Sequence, residues 1–329
     1  MKEITFEKER VFLSPYAKKS VESKGRLHEE SACSMRTDFQ RDRDRIIYSK
    51  AFLRLKNKTQ VFFAPDGDHY MSRLTHTLDV SQIARSLARC LSLNEDLTEA
   101  IALGHDLGHT PFGHVGERVL NALSPHGFRH NQQSLRVVDV LEKDGKGLNL
   151  TFEVRNGIVN HTKSGSPATL EGAAVSLADR IAYINHDIED AIRAGFLREE
   201  ELPEDAVRVF GRDTSERINA AILDIYEESK GKDYVRMSEK TGQALDLLRT
   251  FMFEHVYERA NKLIQESAER LITNLYTYFA DRPEELPELY RNTAETDVPR
   301  AVCDYLSSMT DKYAIGVFNR LFVPQEGGV

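Results

Sequence analysis

The segment from Gly104 to Glu117, GHDLGHTPFGHVGE, constrains this chain more than any other stretch. This histidine-rich segment places three of the eleven histidines and two carboxylates within thirteen positions, and glycine and proline interrupt it. His105 and Asp106 directly follow an apolar run from Leu97 to Leu103, which puts an imidazole and a carboxylate at the edge of a core. Buried groups of this kind must be paired or bound to a metal, because leaving them unsatisfied costs roughly several kcal/mol. The segment therefore predicts a metal-centred hydrolytic site.

The length and composition favour a large enzyme. At 329 residues the chain can bury one large core or two smaller ones. Residues 1–11 hold no apolar stretch typical of a signal peptide, and no run approaches the ~18 apolar residues of a membrane span. Cys33, Cys90 and Cys303 are far apart and lack CxxC spacing, which indicates thiols in a reducing compartment. We expect a cytoplasmic protein that does not contact membranes.

The charge is distributed unevenly. The net charge is −8, but residues 18–58 hold twelve Lys and Arg against six Asp and Glu, so the remainder sums to −14. An acidic chain of this kind is a poor general binder of nucleic acid, although its basic segment could carry a pocket for anions. Residues 36–45, RTDFQRDRDR, alternate Arg and Asp in front of an apolar stretch. They fit a solvated charged face, or a salt-bridged element or subunit contact with some arginines free for phosphate.

The apolar residues recur with a helical period along almost the whole chain. This periodicity predicts helices at residues 80–91, 97–105, 135–141, 152–159, 174–192, 204–229, 238–280 and 298–309. Only residues 60–64 could form a short strand, or alternatively a helix end. We therefore predict an all-α protein whose residues 1–329 form a single domain. Within it we expect a catalytic core at 60–200, additional N-terminal helices, and a C-terminal helical extension at 201–329 packed on that core.

A metal at His105 and Asp106 needs further ligands. His76 lies near the start of the first of these helices, and Asp179 lies beside core positions, where an isolated carboxylate would be costly. Two imidazoles and two carboxylates suit a divalent Mn, Mg, Fe, Co, Ni or Zn ion and leave positions open for water and substrate. The absence of a thiolate argues against a closed structural zinc site. Taken singly, His76 and Asp179 also fit capping or hydrogen-bonded core positions.

The order His…His-Asp…Asp resembles the signature of the HD-domain metal-dependent phosphohydrolases. The sequence around these residues, and over nearly the whole chain, is similar to the bacterial deoxyguanosinetriphosphate triphosphohydrolase-like proteins. The similar stretches are the histidine-rich segment and residues 36–45, 52–60, 73–77, 178–183 and 309–314. The resemblance implies an HD helical core that binds a divalent metal. It also implies cleavage of a dNTP, dGTP and other dNTPs included, between the 5′-oxygen and the α-phosphorus, which releases deoxynucleoside and tripolyphosphate.

The resemblance also assigns catalytic roles within this chain. His114, supported by Glu117, would lie near the scissile bond as general acid to the 5′-oxygen or general base to water. Their three-residue spacing lets the carboxylate orient the imidazole if this piece is helical. His109 and His130 match further active-site histidines that contact the phosphates, although a surface-loop histidine is the alternative for His130.

The resemblance also implies residues that contact the phosphates and the sugar of a substrate. Arg73 resembles a phosphate-binding arginine and Arg180 a basic phosphate contact. Tyr183 and Asp187 would share one helix face with Asp179 and hold the sugar 3′-hydroxyl, and a tyrosine against the ribose would exclude a 2′-hydroxyl. A simple core aromatic is the alternative for Tyr183. The resemblance adds three further contacts, to the base, a phosphate and the sugar: Gln60, Arg249 and Tyr257.

Two other functions stay open at this point. The same metal site would serve a 5′-deoxynucleotidase or another phosphomonoesterase. Alternatively, a non-catalytic protein could use the HD scaffold to sense nucleotides or bind single-stranded DNA. The presence of all four ligands together with His114 and Glu117 favours the enzyme. The resemblance further implies a homo-oligomer and a dNTP that acts as allosteric activator.

Overall fold

The chain is helical throughout the part that the computed structural model describes, which is residues 2–60, 71–257 and 262–324. These residues contain no β-strand, so the prediction of an all-α protein is confirmed. Its helices are α1 (Lys2–Phe12), α2 (Asp38–Ile47), α3 (Lys50–Arg54), α4 (Arg73–Cys90), α5 (Glu95–Gly104), α6 (Gly113–Leu123), α7 (His130–Arg136), α8 (Glu142–Gly145), α9 (Phe152–Val159), α10 (Leu170–Arg193), α11 (Glu204–Phe210), α12 (Thr214–Ser229), α13 (Glu239–Met252), α14 (Lys262–Asp281), α15 (Glu288–Ala294), α16 (Val298–Ser307) and α17 (Asp311–Phe322). Among the described residues, no helix combines the length and the apolar character needed to cross a bilayer. The strand considered at residues 60–64 lies, beyond Gln60, outside the described residues.

Polar caps explain where several predicted helices begin. The Thr37 hydroxyl accepts a hydrogen bond from the Gln40 N–H, and the Gln40 side chain accepts one from the Thr37 N–H, which forms a capping box at the start of α2. The side chain of Asn94 accepts from the Leu97 N–H, so the expected break before the second helix is the N-cap of α5. The helices expected at 152–159 and 174–192 are present as α9 and α10.

Of two long helices predicted from periodicity, one is wrong in its continuity, and the other includes residues outside the description. Residues 204–229 form two helices, because Gly211 adopts a φ of +87° that ends α11 and Asp213 then caps α12. The stretch from 238 to 280 contains α13, a π-helical turn at Phe253–Tyr257, four residues outside the description, and α14. The helix expected at 135–141 is mostly π-helical, over Val137–Leu141.

The helices group into two compact units. Unit 1 comprises Met1–Tyr48, Thr75–His105 and Leu148–Ala260, and unit 2 comprises Ser49–Leu74, Asp106–Gly147 and Asn261–Val329. In unit 1, α5 packs against α2, α9 and α10. In unit 2, α14 packs against α6, α16 and α17. The predicted boundary between a core and an extension near residue 200 stays a prediction.

The alternating Arg–Asp segment begins before α2 and continues along it, and its arginines lie against carboxylates. Its four arginines form ion pairs: Arg36 with Asp44, Arg41 with Glu30, Arg43 with Glu99 and Arg45 with Glu30. The expectation that some of these arginines are free for phosphate is therefore wrong. The same helix buries Asp42 completely. Its carboxylate accepts hydrogen bonds from the Thr151 N–H (2.8 Å) and hydroxyl (2.7 Å) and pairs with Arg26, whose side chain is 6% exposed.

We expect Asp42→Ala to lower the free energy of unfolding by about 3–5 kcal/mol, because it breaks a buried ion pair with Arg26 and leaves the Thr151 N–H buried without its acceptor. The matched control, Asp44→Ala, removes a more exposed carboxylate and should cost at most about 1 kcal/mol. Urea unfolding followed by circular dichroism measures both changes. Similar losses in the two variants would contradict the role assigned to Asp42.

Glu171, in the first turn of α10, makes the stability depend on pH. It is fully buried, and its Oε1 accepts hydrogen bonds from the N–H groups of Lys18 (2.9 Å) and Asn94 (3.0 Å). Its Oε2 has no hydrogen-bond partner among the described residues. Burial raises the pKa of Glu171 from 4.5 to about 7. The folded protein therefore holds a proton that the unfolded chain releases, so stability falls as the pH rises from about 4.5 to about 7.

The variant Glu171→Gln should become more stable relative to the wild type as the pH rises. Glutamine keeps an acceptor for both N–H groups and cannot ionise, so it avoids a loss on the order of 3 kcal/mol between pH 4.5 and 8. Thermal melts of both proteins at pH 5 and pH 8 measure the difference, with the exposed Glu22→Gln as control. A difference that does not change with pH would show that Glu171 does not titrate in this range.

Candidate metal centre and histidine cluster

Three of the four predicted metal ligands converge within unit 1. His76 lies in the first turn of α4, His105 caps the C-terminus of α5, and Asp179 lies within α10. Nε2 of His76 is 3.1 Å from Oδ1 of Asp179, and Nε2 of His105 is 3.6 Å from the same oxygen. Both histidines are buried, whereas 23% of the Asp179 side chain is exposed. The carboxylate therefore lies where these two imidazole nitrogens meet, with access to solvent.

The donor atoms of this group fit a divalent metal. Nδ1 of His105 lies 2.6 Å from the carbonyl oxygen of Ala102, and because a carbonyl only accepts, Nδ1 carries the proton. With a metal bound, Nε2 would then offer the lone pair that a metal ligand needs. Burial acts to raise the pKa of Asp179, but the hydrogen bonds and charges of His105 and His76 hold it well below its usual range. Two imidazole nitrogens and an ionised oxygen are the mixed N/O set typical of Mn, Fe, Co or Zn sites.

Asp106, the fourth predicted ligand, follows His105 in the chain and begins unit 2. It is buried, and its Oδ2 accepts a hydrogen bond of 2.6 Å from Nη1 of Arg73. Arg73, which is 2% exposed, also donates to the carbonyl oxygens of Thr59 (3.3 Å) and Gln60 (3.2 Å). The arginine that the sequence assigned to phosphate thus orients a predicted metal ligand.

The four predicted catalytic residues form one cluster in unit 2. Nδ1 of His130 lies 3.0 Å from both carboxylate oxygens of Glu117, and the His130 N–H also donates to Oε1 over 2.8 Å. The ring of His130 stacks on that of His109, with centroids 4.3 Å apart. His114 is more exposed, and its Nδ1 is 3.7 Å from Oε2 of Glu117. The three-residue spacing predicts a pair of His114 and Glu117. In the structure, His130 lies closer to the Glu117 carboxylate than His114 does.

The cluster combines groups in different protonation states. Burial and the charge of Arg73 lower the pKa of His109 well below its ordinary value, so this ring is neutral. Burial opposes protonation of His130, but the hydrogen bond and charge of Glu117 outweigh it and raise the pKa of His130. Burial likewise opposes ionisation of Glu117, yet hydrogen bonds from His114 and His130 hold its pKa well below the usual range. An ionised carboxylate beside three imidazoles is an arrangement that can bind and transfer protons.

The backbone conformation of the histidine-rich segment explains its glycines. A Cβ on Gly108 would lie 2.1 Å from the backbone nitrogen of Ser134, so only glycine allows α7 to approach this closely. Phe112 and Gly113 both adopt left-handed conformations, with φ of +61° and +54°. The Phe112 N–H donates to Oδ1 of Asp311 over 3.0 Å, which stabilises this strained turn into α6. The helix that the spacing of the catalytic pair requires begins there.

The predicted sugar and phosphate contacts of unit 1 lie on α10 and α13. Burial raises the pKa of Tyr183 well above its ordinary value, and the charge of Asp187 and its hydrogen bond to the phenol act in the same direction. Tyr183 therefore keeps its proton and donates to Asp187. Arg180 is 3.8 Å from Oδ1 of Asp246, and Arg249 is exposed.

The remaining two predicted contacts are Gln60 and Tyr257. Gln60 is buried, and its Oε1 has no hydrogen-bond partner among the described residues. A buried acceptor of this kind suits a donor on a ligand. The side chain of Tyr257 lies outside the described residues.

Sequence reasoning assigned no role to two residues that adjoin His76. Nδ1 of His186 lies 3.3 Å from Nδ1 of His76, and Nε2 of His186 lies 2.7 Å from Oδ2 of Asp79. Asp79 is three residues after His76, and His186 is seven residues after Asp179. These spacings correspond to one and two helical turns, so each residue shares a helix face with a predicted ligand. This spacing is the sequence signal that could have identified them.

Comparison with known proteins bears on the identity of this chain. Residues 73–184 match the HD domain, and residues 235–320 match the phosphohydrolase-associated domain. A deoxyguanosinetriphosphate triphosphohydrolase-like protein from Caldanaerobacter subterraneus subsp. tengcongensis is 56% identical over 326 residues, which cover 98% of this chain and 96% of the relative. A protein of the same name from Clostridium perfringens strain SM101 is 48% identical over 96% of each chain.

A solved structure agrees at the level of the fold. A phosphohydrolase from Bacteroides thetaiotaomicron superposes with a TM-score of 0.53 at 20% identity, over 85% of this chain and 68% of that chain. The family resemblance read from the sequence motifs is confirmed by the relatives that match nearly the whole chain. The chain therefore belongs to the deoxyguanosinetriphosphate triphosphohydrolase-like proteins, a family of HD-domain phosphohydrolases.

Proposed function

We propose that this protein is a metal-dependent dNTP triphosphohydrolase, which hydrolyses dGTP and other dNTPs to deoxynucleoside and tripolyphosphate. The observation that carries the proposal is the convergence of His76, His105 and Asp179, with Nε2 of both histidines facing the carboxylate. The names of the relatives, which refer to dGTP, support this substrate class.

We propose His76, His105, Asp106 and Asp179 as the ligands of the metal. A divalent ion bound there would offset the charge of an α-phosphate oxygen and lower the pKa of a bound water. Arg73 holds the Asp106 carboxylate in one orientation through the 2.6 Å hydrogen bond. Such partners of ligands fix ligand geometry and raise metal affinity.

The histidine cluster of unit 2 would handle the proton at the scissile bond. His114 is the most exposed of its histidines, with 56% of its side chain accessible, so it can reach a substrate. It would act as general acid to the 5′-oxygen or as general base to water, and the ionised Glu117 would stabilise its protonated form. His109 and His130, stacked on one another, would contact phosphate oxygens.

Selectivity for a deoxyribose would come from Tyr183 and Asp187. The carboxylate of Asp187 is held by the Tyr183 hydroxyl and can accept a hydrogen bond from a sugar 3′-hydroxyl. The tyrosine ring would pack against the ribose face, where a 2′-hydroxyl would have to lose its hydration. We propose the remaining predicted contacts as binding residues for phosphate, sugar and base: Arg180, Arg249, Tyr257 and Gln60.

After dialysis against a chelator and addition of Mn²⁺, we expect the protein to convert at least one of the four dNTPs to deoxynucleoside and tripolyphosphate. Ion-exchange chromatography of the inorganic product measures the reaction. Orthophosphate or pyrophosphate would contradict the proposal and favour a phosphomonoesterase. Repeating the assay with each dNTP as a second nucleotide tests the proposed activation, and light scattering tests the proposed homo-oligomer.

We expect His114→Ala to lower kcat by about 10²–10⁴-fold while the bound metal content stays at the wild-type level, because the variant loses proton transfer and keeps every proposed ligand. The control is His126→Ala, which removes a half-exposed histidine paired with Asp297 in the same unit. Steady-state kinetics and elemental analysis measure the two quantities. An unchanged kcat in the first variant would favour a non-catalytic nucleotide sensor.

A further inference from the structure

Asp79 and His186 extend a chain of hydrogen bonds outward from His76, and the proposed function leaves them without a role. Asp79 lies on α4, one helical turn after His76, and His186 lies on α10. Oδ2 of Asp79 is 2.7 Å from Nε2 of His186, whose Nδ1 is 3.3 Å from Nδ1 of His76. His76 and His186 are 1% and 4% exposed, so water competes little for the contact between them.

The direction of each hydrogen bond follows from the carboxylate at the end of the chain. An ionised Asp79 only accepts, so Nε2 of His186 carries the proton between them. Nδ1 of His186 is then left to accept, and Nδ1 of His76 is placed to donate to it. With a divalent metal bound, His76 would therefore carry its proton on Nδ1 and offer the lone pair of Nε2, the atom that lies 3.1 Å from Oδ1 of Asp179.

His105 reaches the same tautomer by a different contact. It follows the last turn of α5, where the carbonyl groups have no helical partner, and its Nδ1 donates to the Ala102 carbonyl over 2.6 Å. His76 lies in the first turn of α4. A side chain from α10, His186, occupies the equivalent place beside Nδ1. Both histidines thus present Nε2 to Asp179.

We propose that His186 and Asp79 are positioning residues for the metal centre, which hold His76 in the tautomer and ring orientation that present Nε2 to a divalent metal. This role rests on the proposed function, since it takes His76 to be a ligand. Residues that support metal ligands in this way typically change metal affinity by ~10–100-fold when they are removed.

Binding of Mn²⁺, followed by electron paramagnetic resonance of the free ion, tests this role without an activity assay. We expect His186→Leu to weaken Mn²⁺ binding ~10–100-fold, because it removes both hydrogen bonds. His186→Gln should restore much of the affinity, since one amide can accept from His76 and donate to Asp79. The control His28→Leu makes the same change at an exposed histidine of unit 1 and should bind like the wild type.

Imidazole ¹⁵N chemical shifts of the wild type loaded with diamagnetic Zn²⁺ provide a second measurement, which needs no variant to fold. We expect His76 as the Nδ1–H tautomer. The variant Asp79→Asn, which keeps the shape of the side chain and removes its charge, should shift the tautomer populations of His186 and His76 and weaken Mn²⁺ binding. Melting temperatures of all variants show whether each is folded.

The outcomes separate this role from the proposed function. If the wild type binds Mn²⁺ and His186→Leu binds it equally well, the positioning role is overturned and the metal centre stands. Equal losses in His186→Leu and His186→Gln, or a wild-type His76 with its proton on Nε2, would also overturn it. If the wild type does not bind Mn²⁺ at all, the proposed function fails, and the positioning role fails with it.

Discussion

Each buried imidazole must match its protonated nitrogen to an acceptor, and this requirement organises the ligand group of unit 1. A buried donor or acceptor left unpaired costs ~1–3 kcal/mol, so a tautomer becomes fixed by its surroundings. The Ala102 carbonyl fixes His105 because α5 ends there. His186 faces the corresponding nitrogen of His76. Asp179, on the same helix as His186, lies beside Nε2 of both histidines. The helices therefore bring together three side chains that we propose as metal ligands.

Unit 2 secures the histidine-rich segment with buried charges from distant parts of the chain. Lys58 donates to the carbonyl oxygens of His109 and Ser307, and burial lowers its pKa well below the ordinary value. Asp311 accepts from the N–H groups of Phe112 (3.0 Å) and Thr59 (2.9 Å). Residues 52–60 and 309–314 resemble the family in sequence, and these contacts explain why. They hold the backbone from which the cluster projects.

Local signals predicted much of this structure, and non-local contacts account for the rest. Helical periodicity and polar caps located α5 and α10, because these are properties of neighbouring residues. Periodicity missed the break at Gly211, since the apolar pattern continues on both sides of a single left-handed residue. The convergence of His105 with residues 29 and 74 positions away came from the family resemblance, because spacing alone does not reveal it. The partner of Arg73 was missed for the same reason: a buried arginine and a phosphate-binding arginine look alike in sequence.

The charges around the proposed ligands resolve an apparent conflict with the acidity of the chain. The protein carries a net charge of −8, yet its proposed substrate is a polyanion. Two carboxylates would balance a divalent ion, and the neutral tautomers of His76 and His105 add no charge. In unit 1, Arg180 on α10 and Arg249 on α13 supply positive charges that we propose for phosphate binding. The net acidity of the chain meanwhile disfavours the extended polyanion of a nucleic acid.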